Sequence, residues 1–227
     1  MSYTVGAPVK GAWGATAAPT VTSDLVAGET VLVSCASDDN TKSLSSVTDN
    51  ATTPNTYTLV GRGLDSFNGN SISLFYSVIT TSKTGATITG TMGASVACAM
   101  SLQRCTGLGA FQAGVGRYQS SGVDSTADSI STGNMTPSSQ PAVVFGVMMD
   151  EFNGSVSAGT GFTDDGSLFN TAAGRTEHMS IASTSPVAAT FTRAVSHIQA
   201  ISVGAVFTDG SGGGGGSSNS IRNLIFL

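Results

Sequence analysis

Apolar and polar residues alternate with a period of two in short runs along almost the whole chain, and Gly, Asn, Asp or Pro closes each run. Side chains of an extended strand point to opposite faces in turn, so this pattern specifies short strands joined by turns. Nine runs stand out: 29–36, 56–62, 71–80, 85–91, 94–104, 141–150, 176–184, 187–193 and 197–207. No stretch carries the spacing of an amphipathic helix. The expected fold is therefore all-β: one antiparallel β-sandwich of two sheets over residues 20–208. An N-terminal arm (1–19) and a C-terminal linker with an apolar peptide (209–227) flank it.

Within 71–80, Ile72, Leu74, Tyr76 and Val78 share one face and Ser71, Ser73, Phe75 and Ser77 the other, which predicts a strand with one buried side. The run 197–207 places Ile198, Ala200, Ser202, Gly204 and Val206 opposite Ile201, Val203, Ala205 and Phe207. Both faces are largely apolar, as in a central strand between packed layers, and 141–149 reads the same way. Residues 106–125 and 150–175, rich in Gly, Ser and Asp, are expected to be long loops at the ends of the sandwich. Their aromatic residues Tyr118, Phe152, Phe162 and Phe169 either bind a partner or plug the loops onto the core.

Charged residues make up 10% of the chain, well under the usual quarter, so Ser, Thr, Asn and Gly must supply solubility. The net charge is −5, and the nine Lys and Arg residues are scattered singly from Lys10 to Arg222. With no basic stripe to neutralise phosphates, nucleic acid is not expected as a partner. No window is long and apolar enough to span a bilayer, and Met1 to Lys10 lacks the features of a signal peptide. Cys35, Cys98 and Cys105 match no zinc spacing. Strand alternation puts Cys98 and Cys105 on opposite faces, so all three are expected to be small buried thiols.

A nucleophilic triad needs a histidine, and only His178 and His197 are present. Neither lies in a recognisable context, and His178 reads as a surface strand residue. No Gly-x-Ser-x-Gly elbow occurs. The neighbours Asp150–Glu151 and Asp164–Asp165 point apart on a strand or are solvated on a loop, so they do not form a glycosidase pair. Ser37 to Asn40 (SDDN) and Asp164–Asp165 offer oxygen ligands for calcium without the spacing of an EF-hand. GVGRY at 114–118 reads as a turn, not a phosphate loop. No catalytic residue, cofactor or metal is assigned. Trp13, the one tryptophan, either stacks on a sugar or anchors the N-terminal arm to the domain.

The C-terminal segment differs in kind. Asp209 to Ser218 reads DGSGGGGGSS and is followed by NSIRNLIFL. A Gly/Ser linker is a flexible coil, and ten residues span roughly 17 Å. Ile221, Leu224, Ile225, Phe226 and Leu227 gain about 1.5–3 kcal/mol each for the larger side chains on burial. They are expected to dock into a neighbouring subunit or another protein, with folding back on the chain's own domain and an artificial linker as the other readings.

Six segments carry a resemblance: 45–62 (SSVTDNATTPNTYTLVGR), 71–80 (SISLFYSVIT), 94–108 (ASVACAMSLQRCTGL), 141–150 (PAVVFGVMMD), 159–166 (GTGFTDDG) and 197–207 (HIQAISVGAVF). Their order resembles β-sandwich, jelly-roll-like domains of bacteriophage virion proteins and of some bacterial surface proteins. The resemblance implies a non-enzymatic virion structural part, such as a capsid decoration (cement) protein or a tail or fibre component. It also implies a symmetric oligomer, with a trimer as the expected state, assembled in the host cytoplasm with other virion proteins. A tail- or fibre-associated receptor- or carbohydrate-binding module is the alternative, using Tyr118 and Phe162 with Asp side chains on sugar hydroxyls.

Overall fold

The computed structural model describes residues 3–65, 69–120, 129–150, 156–169, 173–193 and 199–210. These form an all-β, antiparallel sandwich architecture, built as two successive sets of strands. The first set comprises β1 (Thr4–Val5), β2 (Val9–Lys10), β3 (Gly14–Thr16), β4 (Thr20–Leu25), β5 (Thr30–Ser37), β6 (Ser46–Asp49), β7 (Thr58–Leu64), β8 (Ser71–Val78), β9 (Lys83–Thr91) and β10 (Val96–Thr106). The second comprises β11 (Leu108–Ser120), β12 (Ser129–Ser131), β13 (Ala142–Asp150), β14 (Val156–Ala158), β15 (Thr163–Ser167), β16 (Ala173–Ile181), β17 (Thr190–Arg193) and β18 (Gln199–Asp209).

The two sets repeat one plan. In the first, a large sheet runs β10–β5–β8–β7, with β1, β2 and β3 laid end to end along the outer side of β10, and a small sheet runs β4–β9–β6. In the second, the large sheet runs β11–β18–β13–β16–β15 and the small one β12–β17–β14. Register agrees as well as order. Thr58 pairs with Tyr76 and Leu59 with Phe75 before a bulge that brings Gly61 opposite Leu74. Thr163 pairs with His178 and Asp164 with Glu177 before a bulge that brings Gly166 opposite Thr176. Val21–Ile88 likewise corresponds to Ile130–Phe191, and Val47–Gly90 to Val156–Arg193. Each set wraps eight strand positions into two facing sheets, as a jelly roll does, with the β7 (β15) position moved onto the large sheet.

The large sheets pack face to face, giving four layers where two sheets were expected. The central core joins Leu32, Ile72 and Leu74 of the first roll to Val143, Phe145, Val203 and Phe207 of the second. Val31, Val33, Phe75, Met100 and Leu102 point the other way and pack on the first small sheet. In the second roll Val144, Val206, Met148 and Ala200 do the same against Met135, Ala189 and Phe191. The inner position of both large sheets explains the low count of charged residues. It also corrects the expectation that β8 has one buried side: Ser71 to Phe75 are buried on both faces, and only Val78 emerges, half exposed. β13 and β18 are central, doubly covered strands, as their composition indicated.

Two segments expected to be loops are largely strand. Residues 108–120 form β11, the longest strand among those described, and 156–158, 163–167 and 173–175 belong to β14, β15 and β16. The glycines that suggested turns in β11 serve close approach instead. A Cβ on Gly116 would fall on the Arg62 carbonyl, and one on Gly114 on Val60, so β7 crosses the edge of the opposite sheet backbone against backbone. Phe169 is buried in the central core, and Phe162 is partly buried against the second small sheet's core. The N-terminal segment is tied down over Thr4 to Thr16 by its pairing with β10, and Trp13 meets Phe169 edge-on at 6.3 Å. Cys98 and Cys105 do face opposite layers, and all three cysteines are free and buried.

The glycine crossing yields a direct test. Gly116→Ala forces the two sheets apart and should lower stability by about 3 kcal/mol in urea melts, whereas Gly14→Ala, whose Cβ meets nothing within 4 Å, should stay within about 0.5 kcal/mol of the parent.

Candidate functional site

Strand directions sort the connections between two ends of the molecule. A single residue, Gly107, links β10 to β11, and Gly210 N–H donates to its carbonyl at 2.8 Å, so the rolls share one base. From that base β5, β13 and β11 run upward, and β10 and β18 run down to it. The connections 17–19, 38–45, 65–70 and 92–95 of the first roll therefore leave at the far end. So do 121–128, 151–155, 168–172 and 194–198 of the second. The two ends carry similar numbers of connections, eight at the tip and seven at the base, and the base is also where β1 begins and β18 ends.

Where the tip is described, it is held by short-range hydrogen bonds. Asn40 Nδ2 donates to the Asp65 carbonyl at 2.6 Å, Arg62 donates to the Leu44 carbonyl at 2.7 Å, and the Ser37 and Ser71 hydroxyls bond at 2.8 Å. Asp39 accepts from the backbone N–H and hydroxyl of Thr41, each at 2.7 Å, and these bonds lower its pKa; burial raises that of Asp38. Arg193 and Asp150 form a buried pair at 3.2 Å at the top of the second roll. Among the described residues no three His, Cys, Asp or Glu side chains come together as metal ligands. The calcium reading thus finds Asp39 turned to its own loop, and Asp164 and Asp165 turned to Arg175 and His178.

That last pair is the one arrangement among the described residues that resembles part of a catalytic triad. His178 Nδ1 lies 2.7 Å from Asp165 Oδ1, with side chains 13% and 5% exposed. It is part-buried at the seam between the rolls, which corrects its reading as a surface residue. Its ring meets Tyr3 edge-on at 5.7 Å and Phe145 at 5.9 Å, and Ser180 donates to the Tyr3 hydroxyl at 2.7 Å. An aspartate fixing the tautomer of a histidine is two thirds of a triad. The third member is missing among the described residues: Ser180 is committed to Tyr3, and burial pushes the Cys105 thiol far up, keeping it protonated. In the first roll Val60 and Tyr76 occupy the corresponding register positions, so the pair reads as a polar variant of a packing contact.

Next to it, on the opposite face of β16, Glu177 is fully buried. Its carboxylate accepts from Gly159 N–H at 2.7 Å and Thr190 N–H at 2.9 Å, tying the β14–β15 turn and β17 to the large sheet. Desolvation raises its pKa to about 8 against the pull of those two donors, with Asp164 and Asp165 adding to the rise. Sequence reasoning missed Glu177 and the Asp165–His178 pair. The available signal was two acidic neighbours and a Glu–His dipeptide spaced for a hairpin, which means little until the bulge at Gly166 sets the register.

The other candidate residues are not brought together. Trp13 is partly buried and packs against the central core beside Phe169. His197, Phe152, Ile221, Leu224, Ile225, Phe226 and Leu227 lie outside the described residues, as does the side chain of Tyr118. Comparison with known proteins yields no match to any family model, curated protein or solved structure. What the fold defines is a tandem jelly roll with both ends of the described chain at its base, from which the C-terminal segment departs.

Glu177 makes a pH prediction. The folded chain keeps this proton to about pH 8, while the unfolded chain releases it near 4.5, so folding takes up a proton between those values and stability falls as pH rises through them. Glu177→Gln cannot ionise. It should lose about 1–2 kcal/mol at pH 5, having one acceptor oxygen in place of two, and urea midpoints from pH 5 to 8 should show a flatter profile than the parent.

Proposed function

We propose that this chain is a non-enzymatic structural protein of a bacteriophage virion, acting as a capsid decoration or cement protein. The observation that carries the reading is the polarity of the molecule. Both ends of the described chain lie at the base: β1 begins there, and the linker to the apolar segment 221–227 departs there after Gly210. A subunit that must grip a lattice on one side and face solvent on the other needs that division. A supporting feature is a surface whose solubility rests on neutral side chains. Jelly rolls serve in viral capsids and in lectins alike, so fold alone does not choose between them.

A second reading, a tail- or fibre-associated receptor- or carbohydrate-binding module, draws on the tip. Clustered connections on a rigid sandwich are where such modules place their contacts. The two readings part in one experiment with the full chain and a version ending at Gly210. A decoration protein should add to particles lacking it, with retention lost or reduced at least tenfold on truncation and no hit in a broad glycan screen. Saturable glycan binding that survives truncation would favour the second reading, and neither activity would overturn both.

A further inference from the structure

The two rolls treat one position differently. In the second roll Val115 of β11 packs against a core that includes Met135, supplied by the ten-residue β12–β13 connection (132–141). In the first roll Val9 takes the place of Val115, pairing with Leu102 as Val115 pairs with Gly204. There the β4–β5 connection has only four residues (26–29), and Val9 stays 39% exposed. It borders a groove of about 340 Å3 lined also by Ala7, Glu29, Arg104 and Thr106. Arg104 Nε and Nη2 donate to the two carboxylate oxygens of Glu29, each at 2.8 Å, so the groove carries no unbalanced charge.

We propose that this groove seats the apolar part of the chain's own C-terminal segment, Leu224 to Leu227, while the subunit is free in solution. Position comes first. The last described residue, Gly210, donates its N–H to the Gly107 carbonyl at 2.8 Å, and Gly107 follows groove-lining Thr106. The segment therefore departs at one end of the groove. Residues 211–220, rich in Gly and Ser, reach roughly 17 Å as a coil. Length agrees as well: from Thr106 to Leu102, the partner of Val9, β10 rises by about 13 Å, which four extended residues match.

Chemistry and tethering decide the occupant. Residues 223–227 (NLIFL) bear no charged side chain and suit a groove whose one ion pair is closed on itself. The other cleft at the base, about 430 Å3, is lined by Ser139, Gln140, Thr208 and Asp209 with Pro141 and two glycines, and it offers no aliphatic side chain like Val9. A segment tethered through ten residues meets its own groove at an effective concentration in the mM range, well above that of a second copy in dilute solution. In the second roll, too, the cover over Val115 is a piece of the same chain. The inference does not rest on the virion reading. If that reading holds, the groove keeps the segment out of water until a site on the particle competes for it.

The test places cysteine pairs in the full chain, whose three native thiols are buried. Val9→Cys is combined with Leu224→Cys; Ser139→Cys with Leu224→Cys is the control for the tether alone, because Ser139 and Gly210 line the same cleft. Under oxidised glutathione the Val9 pair should close within one chain at least tenfold faster than the control. A mixture of the single variants Val9→Cys and Leu224→Cys should give less than a tenth of that yield as cross-linked dimer. In hydrogen exchange, residues 4–9 should be at least tenfold better protected in the full chain than in the version ending at Gly210, and Phe226→Asp should abolish the difference. Equal closure of the two pairs overturns the inference, and so does protection that truncation leaves unchanged. Cross-links that form between chains as readily as within one overturn it too, by seating a second copy. All three outcomes leave the virion reading standing, since that reading falls only on failure to bind particles.

Discussion

The burial of one large sheet against the other organises everything else in this molecule. A sheet covered on one side needs only an alternating pattern, but a sheet covered on both must be apolar or neutral throughout. Two such sheets, each backed by a smaller outer one, leave charged side chains a place mainly at rims, turns and the outer small sheets. The Asp49 carboxylate shows how a polar group that enters the interior is satisfied by its neighbours. Asp49 takes hydrogen bonds from Ala51 N–H, Asn55 and Tyr57, and Asn55 in turn holds Thr80 and Thr81, so one buried carboxylate organises the 50–57 connection at the base. Tyr57 is held in its neutral form by desolvation and by that same carboxylate.

Near-symmetry between the rolls makes their differences informative. One end of the seam is apolar, with Tyr76 stacked on Phe111 at 4.8 Å and Phe207 edge-on to both. The other end replaces that cluster with Asp165, His178 and Tyr3, and Lys10 reaches Ser167 at 2.6 Å. Similar backbone pairing thus supports a dry contact at one end and a hydrogen-bonded one at the other. The edge strands differ too: β11 is continuous, whereas its counterpart is three pieces interrupted at Gly6 to Pro8 and Gly11 to Trp13.

Strand identity was legible wherever β-branched and apolar residues dominate, as in β5, β8, β13 and β18. It failed where contact outweighs composition: β11 looks like a glycine-rich loop because its glycines answer to β7, some fifty residues earlier in the chain. The duplication was nearly invisible, since the matching strands share pairing geometry and little more than ATIT at 86–89 against ATFT at 189–192. Backbone register depends on bulges and turns, which many side chains satisfy, so it outlasts sequence. The dyad at His178 and the lock at Glu177 were hidden for the same reason: each needs a partner strand to be known before its residues become neighbours.

The single-residue link at Gly107 bears on how the chain is made. No strand of the first roll waits for one from the second, so residues 3–106 can close their own sheets while the rest is still being synthesised. At ribosomal rates of about 5–20 residues per second, roughly 5–20 s pass before the second roll has followed. Throughout that interval the first roll presents Leu32, Ile72 and Leu74 on an uncovered apolar face. The hazard of misassembly between nascent chains is confined to that window, and the partner that ends it is already attached by one glycine.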